Sequence, residues 1–118
     1  MADLQSEILN KMHRRIVQSF LDVVILLELQ KRPFSGYDLI SFVHNRFDIL
    51  LSSGTVYSCL YSLEREGLVK SENTERRRVY TLTDSGKETA RAFLNAREKI
   101  LGLISNLFSG ESRAFKTV

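Results

Sequence analysis

The stretch of sequence that decides the fold is SSGTVYSCLYSLEREGLV, from Ser52 to Val69. At about 100° per residue, Val56, Leu60 and Leu63 lie within about 60° of one another, which predicts a helix with one buried stripe. Gly67 stands where a helix commonly ends with a left-handed residue, and the apolar residues after it resume an extended pattern. The stretch therefore predicts a helix that ends at a glycine and is followed by a strand.

The outward face of this helix carries small hydroxyl groups and flat aromatic rings instead of charged side chains. A helix that enters the major groove of DNA presents such groups to phosphates and base edges, whereas acidic side chains there would be repelled. Glu64 and Glu66 fall at the flanks of the face. We therefore predict a DNA-recognition face, with candidate contacts Ser53, Gly54, Thr55, Tyr57, Ser58, Tyr61 and Arg65.

These candidates also have purely structural interpretations. Tyr57, and to a lesser extent Tyr61, could be partly buried against the N-terminal helix. Ser53 and Thr55 could serve only as caps, although a hydroxyl at a helix N-terminus also lies where a phosphate would dock. Cys59, at the edge of the buried stripe, is best interpreted as a small core residue.

Three further helices are predicted before this stretch. The first two cover about 4–13 and 17–30, and the sequence leaves open whether the first continues into the second or bends before it. Ser35, three residues before Asp38, resembles the start of a capping box and begins a third helix, which ends near Phe47. The predicted buried stripe of the third helix is Tyr37, Ile40, Val43 and Phe47.

A β-hairpin is predicted after the recognition stretch. Its strands are LVKSE (68–72) and RRRVYTLT (76–83), joined by the turn NTE (73–75). Arg76, Arg77 and Arg78 favour contact with phosphates or the minor groove. The alternative is a solvated strand, in which Arg76 and Arg78 point one way and Arg77 the other.

The last predicted element is one long helix, capped by Thr83 and reaching about Ser109. Its apolar residues recur with the alternating spacing of three and four that is typical of a coiled-coil seam. One small domain cannot cover this stripe, so a second copy of the chain is expected to do so. The predicted dimer interface is Phe93, Ala96, Ile100, Leu103 and Leu107.

Together these elements predict a mainly α fold with a small β-hairpin, namely a winged helix-turn-helix with a long C-terminal dimerisation helix. Three segments, FSGYDLI (34–40), ILLSSGTVYSCLYSLEREGLVKS (49–71) and RRRVYTLTDSGKE (76–88), resemble the PadR-like transcriptional regulators in motif, order and spacing. The resemblance covers about 21–87. The chain departs from the family pattern at Ser58, where proline is usual, at Cys59, where alanine is common, and at Tyr61 and Ser62, where a basic residue is common.

The resemblance implies a repressor that dimerises through its C-terminal helix together with its N-terminal helix. Some members of the family release DNA when a planar aromatic compound binds, so a small aromatic effector at the dimer interface is also an expectation. Phe20, Phe93 and Phe108 are available for stacking there, although core packing would explain them as well.

The predicted organisation is a winged-helix DNA-binding domain with its N-terminal helix at 1–83, a dimerisation helix at 84–109 and a flexible tail at 110–118. The predicted function is that of a homodimeric regulator, acting as a repressor on a pseudo-palindromic operator in double-stranded DNA. The alternative is a winged-helix module for protein interaction, which would present an acidic or apolar recognition face.

Other functional classes find little support in the 118 residues, which carry a net charge of +3 and one cysteine. No phosphate loop or nucleophile with a nearby base is evident, so no enzyme and no cofactor are expected. His13 and His44 have no matching carboxylate or thiolate cluster, so a metal site is not expected either. The N-terminal residues do not resemble a signal peptide and no apolar run is long enough to cross a membrane, which together indicate a cytoplasmic protein.

Overall fold

The structure of the chain is a computed structural model that describes residues 3–110. These residues form six helices around a small antiparallel sheet, which confirms the predicted fold class. The helices are α1 (Leu4–Ser19), α2 (Leu21–Leu29), α3 (Gly36–Phe47), α4 (Ser53–Arg65), α5 (Asp84–Asn95) and α6 (Arg97–Asn106). The strands are β1 (Phe34–Ser35), β2 (Val69–Asn73) and β3 (Arg78–Leu82). The predicted tail, 110–118, lies outside the described residues except for Gly110.

The core lies where α2, α3 and α4 meet the sheet. Val56 and Leu60 of α4 are fully buried and Leu63 is nearly so, which confirms the stripe predicted from their spacing. The apolar helix α2 contributes Ile25 and Leu26 from the other side. Because the inward stripe is fixed in this way, the opposite side of α4 faces solvent.

The sheet has the strand order β1-β3-β2. The predicted hairpin is confirmed as β2 and β3, which pair from Val69 opposite Leu82 to Asn73 opposite Arg78. Strand β1 was not predicted, since two residues are too few to form a pattern. It pairs Phe34 with Tyr80 and so ties the segment before α3 to the hairpin.

Helix ends follow the local signals in the sequence. The capping box at the start of α3 is complete, because Ser35 Oγ accepts from the Asp38 N–H at 3.0 Å and Asp38 Oδ2 accepts from the Ser35 N–H at 3.1 Å. Gly67 has a φ of +76°, which is the left-handed conformation expected just after α4. Thr83 caps α5 by accepting from the Gly86 N–H at 3.0 Å.

The N-terminal segment bends at a single residue. Helix α1 continues past the predicted end to Ser19, and Phe20, with a ψ of 24°, separates it from α2. The first predicted helix therefore bends before the second instead of continuing into it, which the sequence had left open.

The prediction of one continuous C-terminal helix was wrong. Ala96, with φ −91° and ψ 0°, separates α5 from α6. At the bend the Arg97 guanidinium donates a hydrogen bond to the Leu94 carbonyl at 2.8 Å. A side chain inserted in this way is a common cause of a bend in a helix.

The predicted buried stripe of α3 was wrong at Tyr37, which is 72% exposed. The inward side of the first turn is occupied by Gly36, and Leu39 and Val43 continue it along the helix. A pattern based on apolar side chains assigned the inward position to the tyrosine because glycine has no side chain to mark it.

None of the helices within residues 3–110 has the length and apolar character needed to cross a membrane.

Candidate nucleic-acid interface

The exposed side of α4 begins at a helix N-terminus rich in hydroxyl groups. The sequence left open whether Ser52 or Ser53 is the N-cap; in the structure it is Ser52, whose Oγ accepts from the Thr55 N–H at 3.2 Å. The hydroxyls of Ser52 and Thr55 also bond to each other at 2.8 Å. No acidic residue lies in the first turn. The open N–H groups of this turn and its positive dipole end therefore suit a phosphate group.

Tyr57 packs on α3, whereas the alternative considered from the sequence was packing on the N-terminal helix. Its ring lies against the backbone of Gly36, so closely that a Cβ at that position would overlap the ring. Tyr61 is half exposed, and its ring centroid lies 6.3 Å from that of Tyr57. Tyr57 therefore supports the face by packing on α3, while Tyr61 is the aromatic residue that projects from it.

Tyr37 adds a second exposed phenol next to Gly36 at the start of α3. The sequence pattern assigned Tyr37 to the core and so did not mark it as a candidate contact. Only one of the two residues of the GY pair can point inward in the first turn of α3. The glycine at the inward position could therefore have indicated that Tyr37 is exposed.

The other edge of α4 faces the start of α2 across a shallow groove of about 330 Å³, lined by Ser58, Cys59, Asp22 and Glu66 among others. Ser58 is exposed, and the Arg65 guanidinium folds back to donate to Ser62 Oγ at 3.2 Å. The two carboxylates limit the surface available to a polyanion on this side.

Cys59 packs against the core from the same groove, as predicted. Burial, together with the nearby charges of Asp22 and Glu66, raises the pKa of its thiol to about 11. The thiol is therefore protonated at neutral pH and is a poor nucleophile.

The three hairpin arginines have different surroundings. Arg77 reaches α3, where its Nη1 lies 3.3 Å from Asp38 Oδ1. Arg78 reaches α4, where its Nη2 lies 3.6 Å from Glu64 Oε2. Arg76 is exposed in the turn and makes no hydrogen bond or ion pair with any other residue of the range 3–110.

Asp38 joins the wing, meaning the β2–β3 hairpin, to the start of α3. Burial acts to raise the pKa of its carboxyl, but the hydrogen bonds from Ser35 and the charges of Arg77 and Arg32 outweigh burial and lower the pKa below its ordinary value. Asp38 is therefore a carboxylate at neutral pH and holds Arg77, at the turn end of the wing, against the start of α3.

Two arginines that the sequence analysis did not place among the site residues extend the basic surface along α3. The Arg32 guanidinium lies over the Phe34 ring, 4.7 Å from its centroid. Arg46 lies over Phe42 and Phe47 at 5.9 and 5.3 Å. With Arg77 they border an open groove of about 530 Å³ beside α3. Stacking on the rings holds these guanidinium groups in place without neutralising them.

Two apolar surfaces stay uncovered on the single chain. In the predicted seam, Leu103 is 43% and Leu107 is 81% exposed, whereas Phe93 is partly buried against the core of its own chain. The second surface lies on α1 and consists of Leu4, Ile8, Leu9 and Ile16.

Within residues 3–110 the structure brings together no group of three or more His, Cys, Asp or Glu residues that could hold a metal ion.

Comparison with known proteins gives a consistent result. Residues 25–92 match the model of the transcriptional regulator PadR-like family. A PadR family transcriptional regulator from Eggerthella lenta shares the fold with a TM-score of 0.70 at 22% identity, over 93% of this chain and 100% of that chain. A transcriptional regulator from Clostridium thermocellum aligns with a TM-score of 0.69 at 25% identity, over 80% of this chain and 95% of that chain.

Bacillus subtilis PadR, solved in complex with operator DNA, aligns with a TM-score of 0.59 at 26% identity. The alignment covers 83% of this chain and 51% of the Bacillus protein. A search of curated proteins finds no match to this chain.

The contact between Gly36 and Tyr57 generates a prediction. In most helices Gly→Ala stabilises the fold by about 1 kcal/mol, but Gly36→Ala should destabilise it by about 1 to 3 kcal/mol because the new methyl group displaces the Tyr57 ring. Urea unfolding measures the difference. In a Tyr57→Ala background the same substitution should cost much less, and Gly54→Ala, at an open position of α4, serves as the control. An equal cost of Gly36→Ala in both backgrounds would contradict the assignment.

Proposed function

Because the chain belongs to the PadR-like family of transcriptional regulators, we propose that it is a homodimeric repressor that binds a pseudo-palindromic operator in double-stranded DNA. The family consists of transcriptional regulators and not of enzymes. In a prokaryotic cell the proposed role places the protein in the cytoplasm, where the DNA lies.

The observation that carries the proposal is the exposed side of α4, which is polar, partly aromatic and free of acidic residues in its first turn. A helix of 13 residues with such a face matches the major groove in size and in hydrogen-bonding character. Bacillus subtilis PadR, which is similar to this chain in fold and was solved in complex with operator DNA, supports DNA binding by this chain. The face is neither acidic nor apolar, so nothing favours the alternative of a protein-interaction module.

In this proposal the residues divide into two groups. Those that lie on α4 face the groove, and those on the wing approach the backbone beside it. The groove group is Ser53, Gly54, Thr55, Tyr57, Ser58, Tyr61 and Arg65, to which we add Ser52, the N-cap of α4, and the exposed Tyr37 at the start of α3; the wing group is Arg76, Arg77 and Arg78.

The second copy of the chain covers the apolar surfaces of α1 and α6 in this proposal. Each large apolar side chain that becomes fully buried contributes about 1.5 to 3 kcal/mol, so burial of the exposed leucines of α6 favours association. Residues 1–83 then bind DNA, and residues 84–109 dimerise through Phe93, Ala96, Ile100, Leu103 and Leu107. The proposal includes a small aromatic effector between the subunits, for which Phe20 and Phe108 offer exposed rings.

Selection from a pool of random double-stranded DNA at about 150 mM salt tests the proposed function. The purified protein should enrich a two-fold symmetric motif whose half-sites lie one helical turn apart, about 34 to 36 Å, since a dimer sets its two α4 helices at that spacing. Retention of DNA without any enriched motif would contradict sequence-specific binding, and an asymmetric motif would contradict the dimer.

Leu103→Asp tests the dimer interface directly. A buried charge at the centre of an apolar interface is strongly unfavourable, so the variant should sediment as a monomer at concentrations where the wild type is a dimer. Ser105→Asp adds the same charge at an exposed polar position of α6 and should remain dimeric. If Leu103→Asp still sediments as a dimer, the seam is wrongly assigned.

A further inference from the structure

Three polar side chains join the wing to the side of α4. Ser71 Oγ on β2 donates to Glu64 Oε2 on α4 at 2.7 Å. The same Ser71 oxygen accepts from Arg78 Nε on β3 at 2.9 Å. Arg78 Nη2 lies 3.6 Å from Glu64 Oε2 and closes the triangle. Each side chain of this set, which we call the brace, comes from a different element.

The brace lies on the inward face of the wing. Alternation along β3 places Arg78 on the same face as Tyr80 and Leu82, and both of these are buried. Arg78 therefore points toward α4 and not toward the solvent-facing side of the hairpin. Its side chain is about half exposed, at 49%, and that of Glu64 is 32% exposed.

The charge of Arg78 is already matched by Glu64. If Arg78 moved to a phosphate, it would leave the Glu64 carboxylate unpaired beside the polyanion and would give up both contacts of its own. Arg76 has no such partner within residues 3–110 and lies in the turn from Thr74 to Arg77, at the end of the hairpin. The two arginines are thus suited to different tasks.

We propose that Glu64, Ser71 and Arg78 set the angle between the wing and α4, so that Arg78 is a positioning residue for sequence recognition and Arg76 is the phosphate contact of the wing. The inference rests on the proposed DNA-binding function and refines its wing group. When α4 sits in the major groove, the brace fixes where the tip of the wing meets the DNA backbone beside the groove. Without the brace, the position of the wing on the backbone no longer depends on the position of α4 in the groove.

The test compares two quantities for each variant: the ratio of affinities for the selected operator and for a scrambled duplex of equal length, and the slope of log K against log salt between about 50 and 200 mM. Fluorescence anisotropy gives both. Arg76→Ala should reduce the slope by about 0.9 for each subunit and leave the ratio unchanged, because it removes one phosphate contact. Arg78→Ala should leave the slope unchanged and lower the ratio by about tenfold, the size of one lost discriminating contact.

Ser71→Ala is the sharpest variant because it breaks the brace without changing any charge. It should lower the ratio in the same direction as Arg78→Ala. Glu64→Gln should also lower the ratio, and Glu66→Gln, which removes the same charge at the end of the same helix, is its matched control and should not. Circular dichroism spectra like that of the wild type establish that each variant is folded.

A reduced slope with an unchanged ratio for Arg78→Ala would overturn the proposal, and so would an unchanged ratio for Ser71→Ala. Urea unfolding tests the brace without DNA. The double variant Glu64→Gln with Arg78→Ala should have the same urea midpoint as the less stable of the two single variants. A midpoint shift equal to the sum of the two single shifts would contradict the brace. A wild type that enriches no motif, combined with non-additive unfolding, would instead overturn only the proposed function.

Discussion

The surface that this protein offers to a partner depends on the burial of one stripe of α4. Val56, Leu60 and Leu63 insert between α2, α3 and β2, and at a helical period this leaves the tyrosines and serines of the opposite side facing solvent. The core therefore does more than stabilise the fold, since it fixes which side chains are presented. Tyr57 connects the two sides because its ring packs on Gly36 while it lies beside Tyr61.

Around this fixed helix the polar contacts connect elements that are distant in sequence. Asp38 and Arg77 tie the turn end of the wing to α3, and Glu64, Ser71 and Arg78 tie its strands to α4. Ion pairs at this exposure are each worth only about 0.2 to 1 kcal/mol, so their main effect is on geometry and not on stability. They leave Arg76 as the wing arginine without a partner among the described residues. Helix α4, its neighbour α3 and the wing are therefore joined by side-chain contacts.

The sequence predicted the parts of the molecule that depend on local chemistry. The buried stripe of α4, the capping box at Ser35 and the left-handed Gly67 each follow from a short run of residues whose preferences the fold respects. It missed what depends on tertiary packing. Tyr37 is exposed because Gly36 takes the inward position, Ala96 interrupts a pattern that continues across it, and the partners of Arg77 and Arg78 lie in other elements. The GY pair is a local signal for Tyr37, whereas the bend at Ala96 and the partners of the two arginines have no signature within their own segments.

The proposed role of the outward face of α4 is to read bases. The most direct test is a second selection from random DNA with the variant Tyr61→Ser. Tyr61 projects from the face and supports no core contact, so the fold should be unaffected. If this face reads bases, the selected motif should keep its symmetry and half-site spacing, with preference changed at the same one or two positions in each half-site. An unchanged motif recovered at lower yield would contradict this role, since Tyr61 would then contribute affinity without reading sequence.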